Sequence, residues 1–211
     1  MFGMAIASSS PAVAARCAHA RAGVGVVATQ NITDPSLGPR ILDALAHGAG
    51  AKAALEQTLA ATRFAVYRQL LVLGRAGAPA IYSGASALGI VSSADCAHAA
   101  AAGNLLARAD VPAAMIAAFE AASGHLGACL LQALRAGAAH GGEAGPIHSA
   151  GLLIVRDLAW PIVDLRVDWS VADPVAALSS IWDIYAPQIE DYVRRAIDPV
   201  HAPTFGVAGN V

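Results

Sequence analysis

Charge is what this chain has least of. Only 13% of its 211 residues are charged, while 56% are hydrophobic; an average soluble domain carries roughly 25% charge. Lys52 is the only lysine, the arginines stand singly or in pairs, and the net charge is −2. No basic stripe is therefore offered to nucleic acid. Cysteine is sparse too. Cys17, Cys96 and Cys129 form an odd set without CxxC or other ligand spacing, which suits free, buried thiols in a reducing cytoplasm. The longest uncharged stretch, Ala76 to Ala94, is broken by glycines, serines and Pro79, so it makes no membrane helix. The start, MFGMAIASSSPAVAARCAHA, lacks the positive n-region of a signal peptide. Phosphate loop, GxSxG elbow and HExxH are all missing. These absences predict a cytoplasmic protein with no nucleic-acid and no membrane partner. A surface this poor in charge also needs covering, which predicts a homo-oligomer.

The residues that are present fit one domain over 1–197, long enough for a full-sized core, followed by a tail or arm at 198–211. The most organised stretch is RAGVGVVATQNITDPSLGPRILDALAHG, Arg21 to Gly48. Val24 to Ala28 is a short apolar, β-branched run, as in a strand buried on both faces. Thr29, Gln30 and Asn31 then place three hydrogen-bonding side chains where that strand surfaces. Asp34-Pro35-Ser36 starts a helix, because Asp or Ser can cap free amides and proline has no amide to lose in a first turn. Leu37, Ile41, Leu42 and Leu45 share one helical face, and Gly48 and Gly50 end it. A strand–turn–helix without chemistry accounts for these residues equally well.

The remaining pattern predicts strands at Gly3 to Ala7, Val24 to Gln30, Val66 to Leu73 and Pro79 to Ser83, with a weaker one running into Gly103-Asn104. Helices are predicted at 37–47 and 51–62, after Asp110-Val111-Pro112 to about Ala122, and at 125–138. The glycine-rich segment 140–151 leads into the strand LLIV. Trp160 to Trp169 alternates, with Val163, Leu165, Val167 and Trp169 on one face and Asp164, Arg166 and Asp168 on the other. Asp173-Pro174 opens a last helix pair to about Ile197. Paired strands separated by paired helices do not make βαβ units. They predict an α+β fold of two stacked, mainly antiparallel sheets flanked by helices.

Candidate chemistry is sparse. His140, Glu143 and His148 match no metal-ligand spacing, and none is assigned as a metal site. Glu143, His148 and Ser149 sit in a glycine-bounded loop that either contacts a substrate or is a polar turn. Arg68, read within a strand, needs a carboxylate; Asp164 or Asp168 supplies one as an ion pair, or a substrate does. Asp164 and Arg166 carry the same two readings. Asn104, after Gly103, either donates to an oxyanion or turns the chain.

ASSSPAVAARCAHARAGVGVVATQNITDPSLGPRILDAL, YRQ at 67–69, GN at 103–104, GGEAGPIHSAGLLIV and VDLRVD occur in that order over roughly residues 2 to 180. Together they resemble a bacterial family of Ntn-hydrolase-like proteins of unknown function (domain-of-unknown-function family 1028). The resemblance implies a four-layer αββα sandwich and metal-free, cofactor-free hydrolysis of an amide-type C–N bond. The nucleophile implied is an N-terminal Thr, Ser or Cys whose α-amine is the general base. The substrate would be a small amide, ureido or cyclic-imide metabolite. It places Ser8, Thr29, Gln30, Asn31 and Asn104 at the catalytic rim, and Arg68, Glu143, His148, Ser149, Asp164 and Arg166 at positions for substrate binding or sheet bracing. One departure stands out. The chain begins Met1-Phe2-Gly3, where the family pattern has a further strand that starts with the nucleophile. The expected explanation is a start lying upstream; the alternatives are lost catalysis, giving a ligand- or subunit-binding protein, or internal cleavage exposing Thr29.

Overall fold

The computed structural model describes residues 1–204. Among them the element order is β1 (Phe2–Ser8), α1 (Val13–Cys17), β2 (Ala18–Arg21), β3 (Gly25–Gln30), α2 (Leu37–Ala46), α3 (Ala51–Ala60), β4 (Gln69–Gly74), β5 (Ala80–Ser83), β6 (Ile90–Cys96) and β7 (Ala99–Leu106). Then come α4 (Val111–Ala121), α5 (Leu126–Ala139), β8 (Ser149–Val155), β9 (Val163–Val167), α6 (Pro174–Tyr185) and α7 (Ile189–Ile197). Pairing is antiparallel throughout: β1-β8-β9 in one sheet, β2-β3-β4-β5 in a second, and the hairpin β6-β7. The fold is α+β, as the alternation of strand and helix pairs predicts.

Burial explains the layering. Every residue of β8 is buried, so both of its faces need cover. Leu131 of α5, Leu178 and Trp182 of α6 and Val193 of α7 join Leu152, Ile154 and Val163 in one core. A second core joins Leu37, Ile41 and Leu42 of α2 and Ala54 and Leu55 of α3 to Val27, Leu70 and Val72. Helix α1 touches β1 and β8 of the first sheet and β2 and β3 of the second, and its Val13, Ala14 and Cys17 bury with Ile6. Gly151 makes this possible: a Cβ there would run into the Ala14 methyl. The helix starts follow local chemistry. Asp173 accepts from the amides of Val175 and Ala176 ahead of Pro174, and His125 Nδ1 accepts from Gly127 N.

Three predicted elements differ. The strand Val66 to Leu73 begins only at Gln69. Ala65–Tyr67 is a 3-10 turn after the left-handed Phe64, and the carbonyls of Val66, Tyr67 and Arg68 accept from Ser86, Asn31 and Gly84 rather than from a strand. Arg68 is therefore a loop residue, and Asp164 is bound to Arg166, two positions along β9. The predicted strand Trp160 to Trp169 is restricted to Val163–Val167, since Pro161 has no amide to pair. The weak strand near Gly103 is an eight-residue strand with its own partner, β6. Neither α1 nor β2 was legible. Residues 198–204 turn back on α7, where Arg195 Nε donates to the Pro203 carbonyl; 205–211, the rest of the predicted tail, lie outside the described residues.

Candidate active site

A cleft of about 810 Å³ runs the length of β1 and β7. Among the described residues β1 pairs only with β8, and β7 only with β6, so each lines the cleft while keeping one edge unpaired there. Val26, Ala28 and Leu71–Leu73 of the second sheet form one wall. Met115, Ile116 and Phe119 of α4 and Leu126, Leu130 and Leu134 of α5 form the other. The cleft is thus an apolar slot between two strand edges.

Most of the polar groups gather at one end, where β1, β3 and β7 finish, while Arg75 and His98 line the other. Ser8, Ser9, Ser10, Arg16, Gln30, Asn31, Thr33, Asn104 and Glu143 line it there. Glu143 spans the rim: its carboxylate accepts from both the amide and the hydroxyl of Ser9. Its own backbone is bridged to Leu106 at the end of β7, and the next residue, Ala144, donates to the Leu105 carbonyl at 2.7 Å. The end of β7 is held from below by glutamines. Gln69, fully buried, donates to Ser83 Oγ and to the Gly103 carbonyl, and accepts from Asn104 Nδ2 at 3.1 Å. Gln30 donates to the Ala102 carbonyl at 3.5 Å. One N–H of the Asn104 amide remains for a ligand.

Backbone strain concentrates at the same mouth. Asn31, Ile32 and Leu105 all have positive φ, of 51°, 42° and 51°, and all three line the cleft. Asn31 tolerates this conformation and uses it: Nδ2 donates to the Tyr67 carbonyl and Oδ1 accepts from Leu88 N. Ile32 is β-branched, and such a residue in the left-handed region is a true outlier, of the kind that clusters at functional sites.

Of the residues singled out from the sequence, Ser8, Gln30, Asn31, Asn104 and Glu143 meet at this rim. The others lie elsewhere. Thr29 is fully buried, and its hydroxyl donates to the Arg16 carbonyl and contacts His19 Nε2. Ser149, equally buried, donates to the Ser10 carbonyl and accepts from Val13 N, so it braces the turn into α1. His148 stacks on Trp169 with ring centroids 4.3 Å apart and binds the Ser170 carbonyl through Nδ1. Asp164 and Arg166 form a half-exposed pair. Arg68 lies near Asp34, whose carboxyl is held below its ordinary value first by the Ser36 hydroxyl and in smaller part by Arg68. His140 pairs with Asp110, Glu143 with Ser9 and His148 with Ser170, so these three do not converge.

Ser9 and Arg16 were missed. Ser9 was visible only as part of a polar strand end. Arg16 carried no signal, because its place depends on α1. Its carbonyl is fixed by Thr29, it is one of the residues lining the cleft, and among the described residues it has no ion pair. Cys17 also lines the cleft, but burial pushes its thiol up, outweighing the Thr33 hydroxyl and Arg16, so it stays a thiol.

Fold and site together define an α+β protein with a strand-edged apolar cleft and a polar, strained rim. The chain belongs to the family described as "Family of unknown function (DUF1028)", which matches residues 1–178. The crystal structure of SPO2555 from Silicibacter pomeroyi, a DUF1028 protein, is similar to it with a TM-score of 0.81 and 27% identity. That similarity covers 90% of this chain and 87% of the other. No curated protein matches the sequence.

Proposed function

We propose that the protein is a metal-free amidohydrolase of the N-terminal-nucleophile type, acting on a small amide, ureido or cyclic-imide compound. The reading takes the fold as the Ntn-like αββα sandwich, with α5–α7 outside one sheet and α2–α3 outside the other. The observation that carries it is the slot between β1 and β7. Both strands run toward the polar rim, since Ser8–Ser9 and Leu105–Leu106 meet there through Glu143. A single strand running away from the rim would be antiparallel to both and satisfy both free edges at once. A strand joined to β1 by a hairpin has that direction, and its first residue would lie beside Ser8, Asn104 and Glu143.

In this reading the first residue's hydroxyl or thiol attacks the amide carbon and its α-amine takes the proton. The remaining N–H of Asn104 stabilises the oxyanion. Arg16 binds an anionic group of the substrate, its fork suited to a carboxylate. The test is labelling with a β-lactone that acylates N-terminal nucleophiles, followed by peptide mapping and assay against a panel of small amides. The expected result is one adduct, on the residue that begins the strand in the slot, with loss of hydrolysis. No adduct and no hydrolysis would leave a ligand-binding protein.

A further inference from the structure

We infer that Gln69 is a positioning residue: from its buried place it holds the Asn104 amide so that a donor, not an acceptor, stands at the cleft mouth. The β6-β7 hairpin leaves this task open. Ser92 pairs with Gly103 and Ile90 with Leu106, so Asn104 and Leu105 together face the single residue Val91. Two residues against one is a β-bulge, a device that re-aims a side chain by interrupting the ladder. Leu105 completes the bend at φ 51°. The regular ladder therefore stops short of Asn104. Among the described residues the hydrogen bond that its side chain makes is from Nδ2 to Gln69 Oε1.

The orientation follows from the partners. Gln30, Gln69 and Ser83 are register neighbours across β3, β4 and β5, and Gln69 has no exposed surface. Its Nε2 lies 3.1 Å from the Gly103 carbonyl oxygen and 3.0 Å from Ser83 Oγ. A carbonyl can only accept, so this end of the amide must be the NH₂, and both of its protons are used. Turning the amide over would set two buried acceptors against each other. Oε1 is thus pinned toward Asn104 and, as an acceptor, admits only Nδ2 there. The Gly103 carbonyl, acting through Gln69, decides which end of the next residue's amide is which. One Nδ2 proton is bound by Gln69, and the other is left for the cleft that Asn104 lines. Without Gln69 the amide is free to turn and offer Oδ1, which repels an oxyanion instead of binding it. The inference rests on the function proposed above for what that N–H does, but not for how it is held.

Two measurements on the full-length protein test this. In the first, acylation by the β-lactone is followed in the wild type, Gln69→Met, Asn104→Ala and the double variant. Asn104→Ala should slow acylation about a hundredfold, the scale of one oxyanion donor, and Gln69→Met on the order of tenfold. The reversible binding constant of the lactone should not change in Gln69→Met. Added to Asn104→Ala, Gln69→Met should slow acylation no further, because two residues that act as one unit are not additive. A brace that works through the fold alone would slow both backgrounds equally, and that result overturns the inference. The second measurement needs neither a nucleophile nor a variant that folds. Neutron diffraction of the deuterated wild type should show one Asn104 Nδ2 deuteron on Gln69 Oε1 and the other directed into the cleft. Asn104 Oδ1 beside Gln69, or both deuterons turned from the cleft, overturns the inference. A wild type that the lactone does not acylate ends the proposed function, and the neutron map then decides the role of Gln69 by itself.

Discussion

Glu143 reaches from the end of β7 to Ser9 at the end of β1 and accepts both its amide and its hydroxyl. Residues 134 positions apart are thus joined across the mouth of the cleft. One carboxylate sets the distance between two strand edges that share no ladder. Glu143→Gln keeps the shape, with its carbonyl oxygen accepting from the Ser9 amide and its NH₂ donating to the Ser9 hydroxyl oxygen, but it removes the negative charge that strengthens both bonds. The expected cost is about 1–2 kcal/mol, read as a lower denaturant midpoint, with a larger fractional loss of ligand binding than of stability. An equal loss in both would make Glu143 a brace without influence on the site.

Gly151 to Ala14 is the contact that seats α1 between the sheets. Gly151→Ala drives a methyl into Ala14, and relief requires α1 to move. A loss of about 1–3 kcal/mol is expected, with weakened binding at Arg16, which the same helix carries. Thermal melting and ligand titration of the variant check both.

Ile32 holds a β-branched side chain at φ 42° while more than half exposed. Ile32→Gly should raise stability of the isolated chain by up to about 1 kcal/mol, because relief of left-handed strain exceeds the small burial lost. A fall in stability would show that the contacts of the Ile32 side chain outweigh the strain.

Arg16 predicts a preference that its removal erases. N-acetylleucine should bind about tenfold or more tightly than its neutral carboxamide, and Arg16→Met should abolish the difference. Equal binding of acid and amide by the wild type would take Arg16 out of recognition.

The histidines set the pH response. Burial lowers the pKa of His19, against the raising effect of the Arg16 backbone, and burial likewise lowers that of His125. The unfolded chain therefore takes up these protons first, near pH 6.5. Stability is full above that value and falls as pH drops through it toward the lower folded pKa values. His19→Asn should flatten the dependence of the denaturant midpoint between pH 7.5 and 5, and an unchanged slope would assign it to other groups.

The sequence was most legible where periodicity is carried by large side chains. Leu37, Ile41 and Leu42, the alternation of β9 and the Asp173-Pro174 cap all read correctly, because burial and capping are local choices. Strand β6 did not read and β7 read only weakly, since ASALGIVSSADCAHAAAAGN is mostly alanine, serine and glycine and has little β-branched content. Arg68 misled because a tyrosine and a glutamine beside it look like strand alternation, whereas the tertiary bonds from Asn31 and Ser86 claim that backbone. The rim was half legible. Polar residues at strand ends marked Ser8, Gln30, Asn31 and Asn104, but whether a buried hydroxyl such as Thr29 or Ser149 faces a ligand or a carbonyl is decided by packing between sheets, which no local pattern records.

In the function we propose, a strand beginning with a nucleophile fills the slot between β1 and β7. Intact mass with N-terminal sequencing of the protein from its native host tests it most directly. The expected result is a first residue that is Thr, Ser or Cys, on a segment long enough to pair with β1 from end to end. A protein whose first residue is Met1 or Phe2 would contradict it.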